Sequence, residues 1–170
     1  IIIKERLKTQ EKLAEIDAKF EKATIDKRKA AFGDRANEIR SESERLRTIA
    51  ERLRVEGVTS EEEYQQELFD IEKDRIDKEL ELLKQRQSFQ DMLKKAGIET
   101  SESESTAILN DKERLYLELA KLDANYTAKN KANEEARLAA AKESNEARLQ
   151  DFQKKFEEAA KIAQDLLNIF

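Results

Sequence analysis

The side chains able to do chemistry in this chain are carboxylates and amines, and little else. Asp and Glu number 38 and Lys and Arg 33 among 170 residues, while His and Cys are absent. Without imidazole the commonest general base is missing, and without thiols so is the sulfur nucleophile. Asp70 and Asp74 lie one turn apart and could share a proton on one helix face, but so acidic a chain repeats that spacing on any solvated face. Helical di-metal sites use Glu-x-x-His pairs, which cannot exist here. No Gly-rich phosphate loop and no nucleophilic triad occurs. Asp74 with Lys78, and Glu157 with Lys161, have the acid-before-base order that supports a helix surface. Lys27, Arg28, Lys29 and Arg35 cluster, yet Asp26 and Asp34 flank them and the net charge is −5. A nucleic-acid surface concentrates positive charge instead. The expectation is a protein with no catalytic site, cofactor, metal, small-molecule substrate or nucleic-acid partner.

The elements that carry these side chains must be long. The chain has no Pro and three Gly, so it has few of the residues that reverse a backbone. Charged residues make up 42% and aromatics 6%, a profile of solvated helices rather than of a thick core. Disorder shares that composition, but the modest net charge and the periodic apolar residues argue for helix. One helix of this length would span ~250 Å. A helix with a narrow apolar stripe is not stable alone and must bury that stripe against another helix. The fold class expected is all-α: long amphipathic helices in a coiled coil or extended helical bundle, with two or three interhelical breaks.

Glycines mark the breaks. Gly57 is followed by Val58 and Gly97 by Ile98, each five residues after a leucine, Leu53 and Leu93. That is the Schellman arrangement, in which glycine takes a left-handed conformation and the next apolar residue packs back on the helix. Ser60 with Glu63 then forms a capping box that opens the next helix. The Ser-, Thr- and Glu-rich stretch after Gly97 reads as a loop, with Ser103, Ser105 or Thr106 capping the last helix. Gly33 lacks an apolar follower and reads as a weak point, a break or kink within a helix. The organisation expected is a helical segment over 1–56, a turn over 57–60, a helix over 60–96, a loop over 97–104 and a long coiled-coil helix over 105–170. Ile1-Ile2-Ile3 and the apolar end at Phe170 both look cut from a longer chain, too short for a membrane span and without a secretory pattern.

The apolar residues define candidate oligomer seams. Leu13, Ile16 and Phe20 step at helical spacing, as do Leu68 with Ile71 and Leu119 with Leu122. Leu149, Phe152, Phe156, Ala159, Ala163, Leu166 and Phe170 alternate three and four throughout, a heptad seam. Upstream, Glu135-Ala-Arg-Leu138 recurs as Glu146-Ala-Arg-Leu149, an eleven-residue spacing that favours straighter packing. A longer echo links Leu13-Ala-Glu-Ile16-Asp17 to Leu119-Ala-Lys-Leu122-Asp123, with a poorer copy at Leu68-Phe-Asp-Ile71-Glu72. Such spacing suits a repeat array. Tyr64, Tyr116 and Tyr126 read as seam or rim residues.

Gly57-Val58-Thr59-Ser60-Glu61-Glu62-Glu63-Tyr64, leading into Leu68, Ile71 and Ile76 and then Lys78-Glu-Leu80-x-Leu82-Leu83-Lys84, resembles the helical repeats of tail tape-measure proteins of tailed phages and related particles. So do Leu119-x-x-Leu122-Asp123-x-x-Tyr126 and the closing Lys161 to Phe170. The resemblance implies a self-associating helical bundle inside the tail tube or tip, located in the virion. Its partners would be tail-tube or tail-tip proteins, and its length would set that of the tube. Gly57 and Gly97 depart from an uninterrupted rod. Outside that family, the same residues suit another cytoplasmic coiled-coil scaffold, or an adaptor that binds a partner through an apolar helix face.

Overall fold

The computed structural model describes residues 2–169, apart from the Ile2 side chain, and it is all-helical. It has three helices, α1 (Ile2–Val55), α2 (Glu61–Lys95) and α3 (Glu102–Ile169), and no strand among the described residues. Phe170, the final seam position, lies outside the described residues.

Both interhelical stops arise from glycine chemistry. Gly57 and Gly97 have φ of 75° and 74°, the left-handed region. The Val58 N–H donates to the Leu53 carbonyl at 2.9 Å and the Gly57 N–H to that of Arg54 at 3.1 Å. The same pair recurs from Ile98 to Leu93 at 3.0 Å and from Gly97 to Lys94 at 3.1 Å. These are the two bonds of the Schellman motif, and they satisfy carbonyls that a helix end leaves open. Helix α2 starts at a complete capping box: the Glu63 N–H donates to Ser60 Oγ at 3.1 Å, and the Ser60 N–H to Glu63 Oε2 at 2.9 Å.

Two expectations need correction. Helix α3 opens at Glu102, not 105, and Ser101 rather than Ser103, Ser105 or Thr106 precedes it, its carbonyl accepting from the Ser105 N–H at 3.3 Å. The Schellman turn already reverses the chain by Ile98, so the next helix needs only a short connection. Gly33 makes no break; α1 runs through it. A single glycine costs a helix only about 1 kcal/mol, and Phe32 and Ala36 on either side of it are part of the half-buried α1 stripe.

The chain divides into two compact units, Ile1–Leu122 and Asp123–Phe170. In the first, α1 and α2 run antiparallel, as shown by the cross-contacts Arg54–Glu61, Arg40–Glu79 and Phe32–Phe89. The α2 and α3 pairs Gln90–Glu104, Gln87–Lys112 and Arg75–Glu118 run in the opposite sense as well. Helices α1 and α3 are therefore parallel to each other here. Ile76, Leu80 and Leu83 of α2 meet Ile108 and Leu115 of α3 in one core cluster, on which Leu119 and Leu122 pack. Phe32 and Phe89 extend the apolar contact between α1 and α2, with ring centroids 5.9 Å apart. On α1 the covered positions Ile25, Lys29, Phe32, Ala36, Ile39, Ser43, Ala50 and Leu53 keep steps of three, four or, across exposed Leu46, seven. The second unit is the remainder of α3, and from Glu134 onward every described residue is exposed.

The glycines give substitutions of opposite sign. A Cβ at Gly33 would meet nothing within 4 Å, so Gly33→Ala should stabilise the fold by about 0.5–1 kcal/mol. Gly57→Ala and Gly97→Ala also meet no atom within 4 Å, yet each should cost about 1–2 kcal/mol because alanine resists positive φ. Urea midpoints of the three variants check both signs.

Candidate interaction surfaces

Charge, unexpectedly, is built into the contact between the helices of the first unit. Glu79 of α2 is buried, and it takes a hydrogen bond from Arg40 of α1 at 3.0 Å and one from Arg75 at 3.2 Å. Arg75 also donates to Glu72 and, at 2.9 Å, to Glu118 of α3. Glu72 pairs with Arg47 of α1. One guanidinium thus ties α2 to α3, while its two carboxylate neighbours tie α2 to α1. Arginine suits this place because its planar fork offers several donors at once. At the other end of the unit Glu104 of α3 receives Lys29 at 3.2 Å and also Gln90. Burial pushes the Glu104 carboxyl up, but those two hydrogen bonds and the charges of Lys29 and Arg86 outweigh it, holding its pKa below the usual value. Lys78 is raised by its hydrogen bond to Asp74 at 2.9 Å, with Glu42 adding to the effect.

Three of the four members of the basic cluster singled out in the sequence are engaged within the first unit. Arg28 stands over the Phe89 ring at 5.6 Å, Lys29 holds Glu104 and Arg35 bonds Glu38 at 3.0 Å. Tyr64 lies half-buried beneath Arg54, whose guanidinium carbon is 4.7 Å from the ring centroid. Asp74 pairs with Lys78 rather than with Asp70, which accepts from Gln66. A cleft of about 240 Å³ between the three helices is lined by Lys29, Arg40, Arg86 and Arg114 together with Glu79 and Asp111, over Leu83 and Leu115. Its charge could attract an anion, but Arg40 and Arg114 already face carboxylates of the same cleft. Among the described residues no group of His, Cys, Asp or Glu is arranged to hold a metal ion, and no helix is long and apolar enough to cross a membrane.

The seam residues read from the sequence fall into three environments. Leu119 and Leu122 pack against the core of the first unit, so they serve contacts within the chain. Leu68 and Ile71 are half-buried. Leu13, Ile16 and Phe20 on α1 are exposed, as are Leu149, Phe152, Phe156, Ala159, Ala163 and Leu166 on α3. Phe152 and Phe156 each stand 68% exposed, far more than ring-sized apolar groups usually do. Of the three copies of the longer echo, one is thus exposed and two are half-buried, the one at Leu119 against the core cluster.

Comparison with family models, curated proteins and solved structures finds no match to this chain.

Sequence reasoning misses two things here. The α1 stripe from Ile25 to Leu53 is legible as alternating steps, but Lys29, Ser43 and two alanines within it hide its apolar character. The Arg75 cluster carries no local signal, because Glu72-x-x-Arg75-x-x-x-Glu79 looks like any helix surface until two other helices cover it.

Arg75→Met should destabilise the first unit by about 2 kcal/mol, the scale of hydrogen bonds to charged partners left unmade. Glu118→Gln, at the more exposed end of the cluster, should cost less than about 1 kcal/mol. Thermal unfolding of the two variants would check the order. The depressed Glu104 pKa adds stability that is present above the unfolded-state value and is lost as pH falls through the lower folded value. Lys29→Met should flatten that part of the acid-side decline in urea midpoint, measured from about pH 5 to pH 3.

Proposed function

We propose that this chain is a structural packing element that self-associates through its exposed heptad seam, and that it serves as a helical segment of a tail tape-measure protein. The observation that carries the first part is the run from Leu149 to Leu166, apolar at every three-four step and covered by nothing among the described residues. A stripe of that kind gains free energy only when another helix lies along it. The second part rests on the Gly-Val-Thr-Ser-Glu repeat pattern after Gly57 and on the echo at Leu119. In this reading the copies form a coiled coil or extended helical bundle in the virion, against tail-tube or tail-tip proteins. The first unit reverses direction twice, so length along an axis would be counted on unreversed helix alone, at ~1.5 Å per residue.

An open apolar groove in the first unit favours a second reading, that of an adaptor. Phe20, Ile25, Phe89, Met92, Leu93 and Ile98 line about 280 Å³ there, with little polar surface. A partner's amphipathic helix could dock in such a groove.

Mass measurement of the purified chain across a concentration series separates the readings. Self-association predicts a mass above the 19.7 kDa of one chain, reduced to that value by Phe156→Asp with no change in the unfolding of the first unit. A monomer at every concentration would favour the adaptor. In an assembling tail, deleting one heptad between residues 138 and 169 should shorten the tube by ~10 Å per deletion; unchanged tube length would remove the ruler.

A further inference from the structure

Along the exposed seam of the second unit, the order of large and small residues reads Leu149, Phe152, Phe156, Ala159, Ala163, Leu166. It is a size palindrome of opposite sense: reversed, each Phe falls on an Ala and each Leu on a Leu. Laid antiparallel on a copy of itself, Leu149 faces the partner's Leu166, Phe152 the partner's Ala163, and Phe156 the partner's Ala159. Every layer then holds either two leucines or one ring and one methyl, so the helices keep nearly one spacing along the contact. A parallel in-register pair would instead stack Phe on Phe in two successive layers and Ala on Ala in the next two. Helix axes pack 8–10 Å apart according to the side chains between them, and one spacing cannot suit both kinds of layer without voids or overlap.

The flanks of the seam give an independent argument. The C-terminal half is wide, with Ile162, Leu167 and Ile169 beside the seam, each at least 61% exposed. The N-terminal half is flanked by Arg148, Lys155 and Glu146. The same antiparallel register sets Lys155 beside the partner's Ile162, Arg148 beside the partner's Ile169 and Glu146 beside the partner's Leu167. Long charged side chains cover apolar neighbours with their methylene stems and keep their heads in water. No like charges meet across the flanks. In a parallel pair Ile162 would lie by the partner's Leu167, with no charged side chain to shield that apolar flank from water, while Lys155 would lie by the partner's Ala160.

We propose that the second unit binds a second copy of this chain antiparallel, in the register that sets Phe156 against the partner's Ala159. This rests on the self-association reading and adds the direction and register that reading leaves open. The dyad falls between residues 157 and 158.

Interchain distances between spin labels test it on the whole chain. Asp151→Cys, Glu158→Cys and Asp165→Cys place labels seven residues apart on the solvent side of the helix, where the seam is untouched and folding is not at stake. The antiparallel register predicts the shortest distance at residue 158, with an axial separation of ~2 Å, and separations of ~20 Å at both 151 and 165. Equal distances at all three sites would overturn the proposal in favour of a parallel pair. A minimum at 151 or 165 would overturn the register. Absence of any interchain signal at concentrations where the mass is that of one chain would overturn self-association itself.

Discussion

Everything in this structure depends on the covering of a narrow apolar stripe. A helix in which two of every five residues are charged has little reason to form in isolation, since propensity over many turns barely offsets the loss of backbone freedom. Burial along one side decides the balance. In the first unit α2 supplies that burial for both its neighbours, and for this reason it holds most of the buried side chains. Ile76, Ile108 and Leu115 reach 1% exposure at the centre. The C-terminal part of α3 has the same kind of stripe, and from Glu134 onward its described residues are all exposed.

Because the stripe is narrow, charged residues such as Arg75 and Glu79 stand directly beside the core cluster. Buried ion pairs add little net stability, as the loss of hydration opposes the attraction. Their effect is felt when one partner is displaced. A slip of α1 by one turn would carry Arg40 away from Glu79 and Arg47 away from Glu72. It would leave Glu79, 5% exposed, short of one of its two cations. Apolar contacts alone would tolerate that slip far better, since leucine and isoleucine pack on one another at several registers. Charge thus selects among alignments that burial permits.

Of the three buried polar residues, Glu79 and Gln90 each bond a side chain of another helix, whereas the Ser43 hydroxyl has no partner. The rings of Phe152 and Phe156, by contrast, are each 68% exposed. Within one chain, then, α1, α2 and the start of α3 cover one another's stripes, while the seam of the second unit is exposed.

Much of this is legible before any tertiary contact is known. The two helix stops at Gly57 and Gly97, the capping box at Ser60 and the all-helical class come from local chemistry, because hydrogen bonds within five residues determine them. The seam from Leu149 to Leu166 is equally plain, since nothing interrupts its period. What the sequence could not decide is which stripes the chain covers for itself. Leu13, Leu68 and Leu119 head related motifs, yet Leu13 is exposed while Leu68 and Leu119 are half-buried, Leu119 against the core cluster. Nor could it show that Arg75 holds three carboxylates or that Glu79 is buried. Helical periodicity places a residue on a face; only the antiparallel return of α2 and the return of α3 determine what that face meets.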